Sequence, residues 1–517
     1  MQIAITGITG NMGQAVLKHI IDIKEIDNIK LLVLEDDKRI KKILKKYAKY
    51  KDKLNVILGN LKDFNKCEEL VKGCSYVINL AAVIPPHSDQ EPKKAIECNE
   101  IGVNNLVTAI EKIKFKQPRF IHISTVALYG NRNHKHPWGR VGDPLLVSPF
   151  DIYSVTKMRG EFRVLESDIE NFVVLRQTAM LHENMLNDNM SDGLMFHTCF
   201  NAPLDWVTAN NSGLLIANIL KRDITEDLSK VFWRKCFNIS GGERNCVTGY
   251  DTLNDGFAII GGSVKDFFKP NYNATRNFHG VWFYDGEKLN DLFNYQSESV
   301  DFFWRDFAKN HSYLKAGKIV PKSLISKFAI QRLFKSENSP KYWLKNHDDA
   351  KVMAYFKGYE NYDKIGEDWS NFDLLIENRA DGQEVDYKAL KDKSNAKLID
   401  YKFDYTKNDD EIDIDDLKAV AKAHGGKLLT QAYNKGDMRS KLEWQTSEGD
   451  RFFANAYTVL RAGHWMNDTY KKYCWNFDKL AKQDEIYAQI WFDSHDEDEN
   501  QYYYFDENFN AHAEKRD

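Results

Sequence analysis

What the chain lacks narrows its chemistry before any motif is weighed. Its seven cysteines (Cys67, Cys74, Cys98, Cys199, Cys236, Cys246 and Cys474) are odd in number and form no Cys-x-x-Cys pair. That argues against a disulfide framework or a cysteine metal centre and for a reducing compartment. No apolar run approaches the roughly 20 residues of a membrane helix, and stretches such as Tyr76 to Pro86 stop far short. The first apolar strand follows Met1 without a basic leader and cleavage site, so a cytoplasmic protein with no membrane partner is expected. The net charge of −4 over 517 residues provides no global field for nucleic acid or an anionic surface. The lysines between Lys41 and Lys53 read as a solvated helix face rather than a nucleic-acid patch.

What is present is the composition of a globular protein, 43% apolar and 29% charged, with length for about two to four domains. Ile3, Ala4 and Ile5 run directly into Thr6-Gly7-Ile8-Thr9-Gly10-Asn11-Met12-Gly13, and Val16, Leu17, Ile20 and Ile21 follow at helical spacing. In such a strand, glycine turn and helix, backbone N–H groups and a helix N-terminus can face a pyrophosphate. Taken alone, the same residues also fit a glycine loop that merely turns the chain. A second strand, Ile29 to Leu34, ends in Glu35-Asp36-Asp37, about twenty residues beyond the last glycine. An acid there accepts hydrogen bonds from ribose hydroxyls and repels a 2′-phosphate, which favours NAD. Lys38 and Arg39 lie close enough to keep NADP open.

Further strands are expected at Asn55 to Leu58, Tyr76 to Ala82 and Phe120 to Ser124, alternating with helical patterns at Cys67 to Lys72 and Lys93 to Lys112. This alternation predicts an α/β fold, a Rossmann-type doubly wound parallel sheet covered on both faces. Ser124 and Thr125 close the fifth strand where open α/β sheets bind ligands, although hydroxyls also simply terminate strands. In Phe150 to Glu161, Tyr153 and Lys157 fall on one helix face at i and i+4. A phenol with an ordinary pKa of about 10 is a poor base at neutral pH, and a nearby ammonium stabilises its phenolate.

These motifs, in this order, resemble the extended branch of the short-chain dehydrogenase/reductase superfamily, which includes nucleotide-sugar epimerases and dehydratases. The likeness rests on Thr6 to Gly13, Asn79 to Ala82, Asn99-x-x-Gly102-x-x-Asn105, Ile123-Ser124-Thr125-x-x-x-Tyr129-Gly130, Tyr153-x-x-x-Lys157 with Glu161, and Leu175-Arg176, and it covers about residues 1 to 245. It implies Thr125 as the hydroxyl that polarises a substrate oxygen and Tyr153 as general acid/base. Lys157 would hold the nicotinamide ribose and lower the Tyr153 pKa. The cofactor would lie on Gly7, Gly10, Asn11, Met12, Gly13, Glu35, Asn60, Leu61, Leu80, Ala81, Ala82 and Asn99 as well as Tyr153 and Lys157. A homodimer through the helix carrying Tyr153 is implied too. Two departures stand out: Asn60-Leu61 where the family has Asp-Leu or Asp-Ile, and Gln177 to His182 in place of Asn-Val-Tyr-Gly-Pro. The second falls near the substrate and puts an ordinary UDP-sugar in doubt.

The expected layout is an NAD(P)-binding domain over 1–250 with its substrate lobe mainly at 180–250, an aromatic, mainly helical region over 251–358, and a C-terminal α+β extension over 359–517. In the lobe, from Leu186 on, His197 is a candidate second acid/base or a structural histidine. Phe302, Phe303, Trp304 and Phe307 are spaced for packing into a core. Around 415–470 the chain resembles a small zinc-ribbon-like module with Thr446, Asp450, Met466 and Thr469 at the ligand positions. Neutral Thr and Met cannot replace thiolates. A metal-free relic held by Trp444, Phe452, Phe453 and Trp465 is therefore expected. The acidic Asp493 to Asn500 and the aromatic residues after it form either a mobile tail or a strand-forming clamp. The enzyme reading is NAD(P)-dependent hydride transfer at a hydroxyl or keto carbon of a small molecule, such as a nucleotide sugar. Its alternative is a cofactor-sensing or scaffold protein that binds a partner through its C-terminal half.

Overall fold

The structure is a computed structural model and describes residues 1–185, 188, 192–370, 385–465 and 473–516. Leu186, Met466 and Thr469 lie outside the described residues. Seven strands form one sheet: β1 (Gln2–Thr6), β2 (Asn28–Val33), β3 (Leu54–Leu58), β4 (Tyr76–Asn79), β5 (Arg119–Thr125), β6 (Phe172–Gln177) and β7 (Lys235–Ile239). Their order is β7-β6-β5-β4-β1-β2-β3, and every pairing is parallel. The order reverses between β1 and β4, which opens a crevice at the carboxyl ends of these strands.

Helices cover both faces, as the continuous apolar strands require. On one side α1 (Asn11–Ile20) turns Val16, Leu17 and Ile20 onto Ile3, Ile5 and Ile29. The helix Ala209–Thr225 crosses it closely at Gly213, where a Cβ would stand 2.5 Å from the Ala15 carbonyl. On the other side lie Phe64–Val71, α2 (Gly102–Glu111) and α3 (Ile152–Leu165). The apolar core on this second side runs as one cluster from Ala4 to Tyr503 and so draws in the C-terminal half.

Several expectations are sharpened or corrected. β4 stops at Asn79, because Leu80 and Ala81 leave the sheet to pack against Gly7. The helix expected from Lys93 to Lys112 is interrupted by a π-helical stretch, Ile96–Ile101, whose wider turn seats Asn99 in the interior. Phe302 is exposed, and Val300–Asn310 buries only Val300 and Phe307. The hairpin Lys441–Gln445/Arg451–Asn455 turns Trp444, Phe452 and Ala454 inward onto Trp465, so strand alternation sends Phe453 out to 53% exposure. Phe453 therefore does not hold this module together. Thr446 accepts the Asp450 amide within its turn. Among the described residues, no trio of His, Cys, Asp or Glu is grouped to hold a metal.

The acidic segment is a clamp. His136 pairs with Asp493 at 2.7 Å, Arg276 with Glu499 at 2.7 Å, and Lys357 with Asp496. The strands Gln501–Phe505 and Ala511–Lys515 then pair antiparallel. The same C-terminal half covers α3: Tyr473 lies over the Arg159 guanidinium, His464 packs on Phe162, and Phe150 is ringed by Trp475, Tyr503 and Phe505. These residues cover part of the helix through which the resemblance implies a homodimer. No helix among the described residues is long and apolar enough to cross a membrane.

Candidate active site

The glycine turn sits at the mouth of the crevice between β1 and β4, and its three glycines serve different ends. Gly7 has φ +70°, and a Cβ there would stand 2.6 Å from the Ala81 nitrogen. A Cβ on Gly13 would lie 2.3 Å from the Gly7 carbonyl oxygen. The protein's own packing demands both. Gly10 differs: its backbone is extended (φ −75°, ψ 169°), and a Cβ would meet nothing nearer than the Gly7 carbonyl at 3.4 Å. The fold leaves that space open at the N-cap of α1, where no side chain caps the first-turn amides and no acid occupies the first turn. Open space beside uncapped N–H groups at a positive helix end fits a pyrophosphate.

The floor of the crevice is a buried polar line. Ala81 N–H donates to Thr6 Oγ1 at 3.1 Å, Thr6 donates to Asn79 Oδ1 at 2.6 Å, and the Asn79 amide meets His122 Nδ1 at 3.1 Å. This holds the turn between β4 and Ala82 against the glycine loop. Beyond β2, Glu35 and Asp36 are exposed, while the sequence reading missed the role of Asp37. Its carboxylate binds Arg39 at 2.6 Å and is hydrogen-bonded to Thr9 of the glycine turn. Arg39 holds the Asp37 carboxyl down at about 2.

Asn60 and Leu61 follow β3, but the Asn60 Oδ1 accepts the Lys62 amide at 3.0 Å. Gly102 admits the Leu61 side chain, and Asn105 donates to the Leu61 carbonyl at 2.9 Å. Asn99 is wholly engaged with protein. Its oxygen accepts Val83 N–H, and its amide donates to the Val83 carbonyl and Thr156 Oγ1. Asn99 thus positions the loop after β4 rather than offering a free group to a ligand. Asn11 accepts from Asn184, while Met12 and Gly13 turn into the interior.

Thr125, Tyr153 and Lys157 come together at the carboxyl end of β5. Asp151 caps α3 by accepting the Ser154 amide at 3.0 Å, which places Tyr153 in the first turn. The Thr125 hydroxyl lies near the Tyr153 phenol and favours its ionised form. Burial outweighs this and pushes the Tyr153 phenol up to about 12. Burial lowers Lys157 to about 8, against the pull of Cys98 and Glu161. The Lys157 ammonium donates to the Ile123 carbonyl at 2.5 Å and is not among the groups that move the Tyr153 titration. The downward shift that the resemblance implies for Tyr153 is therefore not what burial produces here.

Around Asp151, at the N-terminus of α3, the surroundings are acidic, and nothing in the sequence signals it. Asp89, from the short helix His87–Gln90, is raised to about 7 by burial and then by Asp151. Asp192 is buried with one carboxylate oxygen lacking any hydrogen-bond partner among the described residues, and its other oxygen accepts from Gln90 at 3.4 Å. His279 lies 3.4 Å from Asp151. His197 packs against Trp343 edge-on and against Tyr355 at a tilt and bonds the Asn338 carbonyl at 2.7 Å, and burial lowers it to about 4. That is the structural histidine of the two readings. Arg176 is consumed by a buried pair with Glu161 at 2.6 Å, to which His464 adds a contact at 2.9 Å.

Comparison with known proteins agrees with this geometry. Residues 3–178 match the model of the NAD dependent epimerase/dehydratase family. The 3 beta-hydroxysteroid dehydrogenase/Delta 5-->4-isomerase of Monkeypox virus is 23% identical over 167 residues, 32% of this chain and 46% of that protein. The UDP-glucose 4-epimerase of Rickettsia canadensis is 30% identical over 122 residues, 23% of this chain and 35% of that protein. The chain thus spans less than half the length of these curated relatives. Among solved structures, a UDP-glucuronic acid 4-epimerase from Bacillus cereus aligns at a TM-score of 0.46 and 18% identity over 61% of this chain and 99% of that one. The glycine turn, the strand-end hydroxyl and the Tyr153/Lys157 helix all lie inside the segment, residues 3–178, that is similar to the NAD dependent epimerase/dehydratase family.

Proposed function

We propose that this protein is an NAD-dependent oxidoreductase that transfers a hydride at a hydroxyl or keto carbon, in the manner of an epimerase, a dehydratase or a simple dehydrogenase. The observation that carries the reading is the convergence of Thr125, Tyr153 and Lys157 on the crevice beside the open Gly10 cradle. Gly10 and the first amides of α1 would hold the pyrophosphate, and Glu35 and Asp36 the adenosine ribose. Three carboxylates after β2, against an Arg39 already paired with Asp37, favour NAD over NADP. The bound nicotinamide supplies the hydride acceptor or donor.

The chain's own residues handle the proton and the orientation. Thr125 donates to the reacting oxygen. Tyr153, with a pKa near 12, is protonated at neutral pH and gives its proton to a carbonyl oxygen during reduction, recovering it during oxidation. Lys157, its ammonium fixed by the Ile123 carbonyl, would hold the nicotinamide ribose. The relatives' names make hydroxysteroids and UDP-hexoses the first substrates to try. The acids Asp89 and Asp192 near Asp151 weigh against an anionic group docking at the N-terminus of α3.

Purified full-length protein should convert at least one of these substrates with NAD(H). Tyr153→Phe should lower that turnover by about 10²-fold or more with NADH affinity unchanged. Unchanged turnover in Tyr153→Phe would sink the mechanism, and a chain that binds NADH but turns over nothing would be the cofactor sensor instead. Mass spectrometry of co-purifying ligand would identify cofactor and substrate class together.

A further inference from the structure

The chain-wide charge of −4 conceals a strong local asymmetry. Between Phe307 and Ser336 the sequence carries seven lysines and arginines and no acid. In the structure this stretch forms a surface arm from Ser312–Ile319 through Lys322–Ile325 to Gln331–Lys335. None of the residues 311–329 is buried. Large apolar side chains stand out along it: Tyr313 is 66% exposed, Ile319 87% and Phe328 66%, with Val320 and Leu324 also exposed. Leu324 and Phe328 fall at i and i+4 and share a face, and Val320 lies one turn before them.

The arm is fixed to the body. Ile330 and Leu333 are buried, Phe334 packs on Phe196 and Tyr272, the Ser326 hydroxyl donates to the Phe267 carbonyl at 3.2 Å, and Lys322 pairs with Asp266 at 2.9 Å. A clustered apolar surface of this kind marks a contact.

We infer that this arm docks the protein peripherally on an anionic phospholipid surface, with Ile319, Leu324 and Phe328 entering the headgroup–acyl boundary and the flanking cations meeting lipid phosphates. Charge decides among occupants. In a two-fold pairing of two copies, the same patch faces itself and cation meets cation. Nucleic acid is gripped by rows of aromatic stacking faces, whereas here the aromatic Tyr313 and Phe328 are separated by the aliphatic Ile319, Val320 and Leu324, which offer a base no face. Aliphatic and aromatic tips flanked by lysines with long apolar stems suit a lipid interface. Docking would also orient the catalytic lobe. Four residues beyond Phe334, the Asn338 carbonyl holds His197, and Ser339 packs on Gly193.

The test is co-sedimentation of the full chain with vesicles of phosphatidylcholine alone or with ~30% phosphatidylserine. At low salt, the anionic vesicles should retain about tenfold more protein, and ~0.5 M salt should abolish the difference. Ile319→Asp/Phe328→Asp and, separately, Lys315→Glu/Lys327→Glu should each lower retention about tenfold, with melting temperature and NADH affinity unchanged. Equal binding to neutral vesicles, no binding, or retention indifferent to both variant pairs would overturn the proposal. So would a Phe328-dependent dimer in light scattering without vesicle binding, or tighter binding to RNA than to lipid.

Discussion

Gly10 offers a test in which stability and cofactor affinity should move apart. Its φ of −75° is open to any residue, and an added Cβ meets only the Gly7 oxygen at 3.4 Å. Serine is therefore sterically acceptable to the fold. At an N-cap it is also favourable, because its hydroxyl accepts from the Met12 or Gly13 amide, a gain of only a few tenths of a kcal/mol over glycine. Gly10→Ser should thus melt within about 2 °C of wild type. The same hydroxyl and Cβ would occupy the amides and the space that a pyrophosphate needs, so NADH affinity should fall at least tenfold, or about 1.4 kcal/mol. Gly13→Ala is the opposite control. Its Cβ would stand 2.3 Å from the Gly7 oxygen and 2.6 Å from the Ile8 Cα, an overlap worth about 2–3 kcal/mol of stability. NADH fluorescence titration and scanning calorimetry on the three proteins read both quantities. If Gly10→Ser binds NADH like wild type, or melts more than about 5 °C below it, the cradle has been misassigned.

Three further outcomes follow from the buried titrating groups. In the reduction direction Tyr153 stays protonated through the usable range, so the alkaline fall of kcat/KM should track Lys157 near 8, and Lys157→Arg should move that limb upward. A limb that stays in place would assign it elsewhere. His197 titrates at about 4 when folded and near 6.5 when unfolded, so its contribution is complete above about 6.5 and is lost as pH falls toward 4. His197→Gln should remove roughly 2 kcal/mol of the stability lost between pH 7 and 5, measured by urea unfolding, and parallel wild-type and variant curves would refute this. Glu161→Gln should cost about 3–5 kcal/mol by leaving Arg176 uncompensated, seen in urea unfolding as a lower midpoint, and a midpoint within error of wild type would contradict the assignment.

The parts of the site carried by short-range spacing were legible in the sequence. The glycine turn, the apolar strands on both sides of it and the i, i+4 Tyr153/Lys157 pair are local patterns that the fold could only place, not alter. What escaped has a tertiary cause. Asp89, Asp192 and His279 gather around Asp151 only because segments some hundred residues apart converge on the N-terminus of α3. Of the three acids after β2, which one touches the glycine turn depends on how the strand end curls, and it is Asp37. Asn99 was legible as a marked residue but not as a brace, since its three bonds to Val83 and Thr156 arise from the π turn. Phe453 was misassigned for a simpler reason: in a two-strand hairpin, alternate residues face solvent, and sequence adjacency to Phe452 hid that.

The buried guanidinium of Arg176 ties the C-terminal half to the helix that carries Tyr153. A guanidinium has five N–H donors. Nε bonds Glu161, Nη1 bonds the Tyr129 hydroxyl and the Val141 carbonyl, and Nη2 bonds Glu161 and the Ala462 carbonyl. All five are satisfied, but one acceptor lies nearly three hundred residues downstream in sequence. Glu161 in turn takes a further hydrogen bond from His464. Removing residues around 462–464 would leave a donor and an acceptor unmet at a site with no access to water, where each unmet group costs more than an ordinary hydrogen bond gains. Glu161 stands two helical turns from Tyr153 on α3, so the rigidity of that helix rests on packing that the family-matched segment does not supply. The appended half is therefore part of the support of the proposed site.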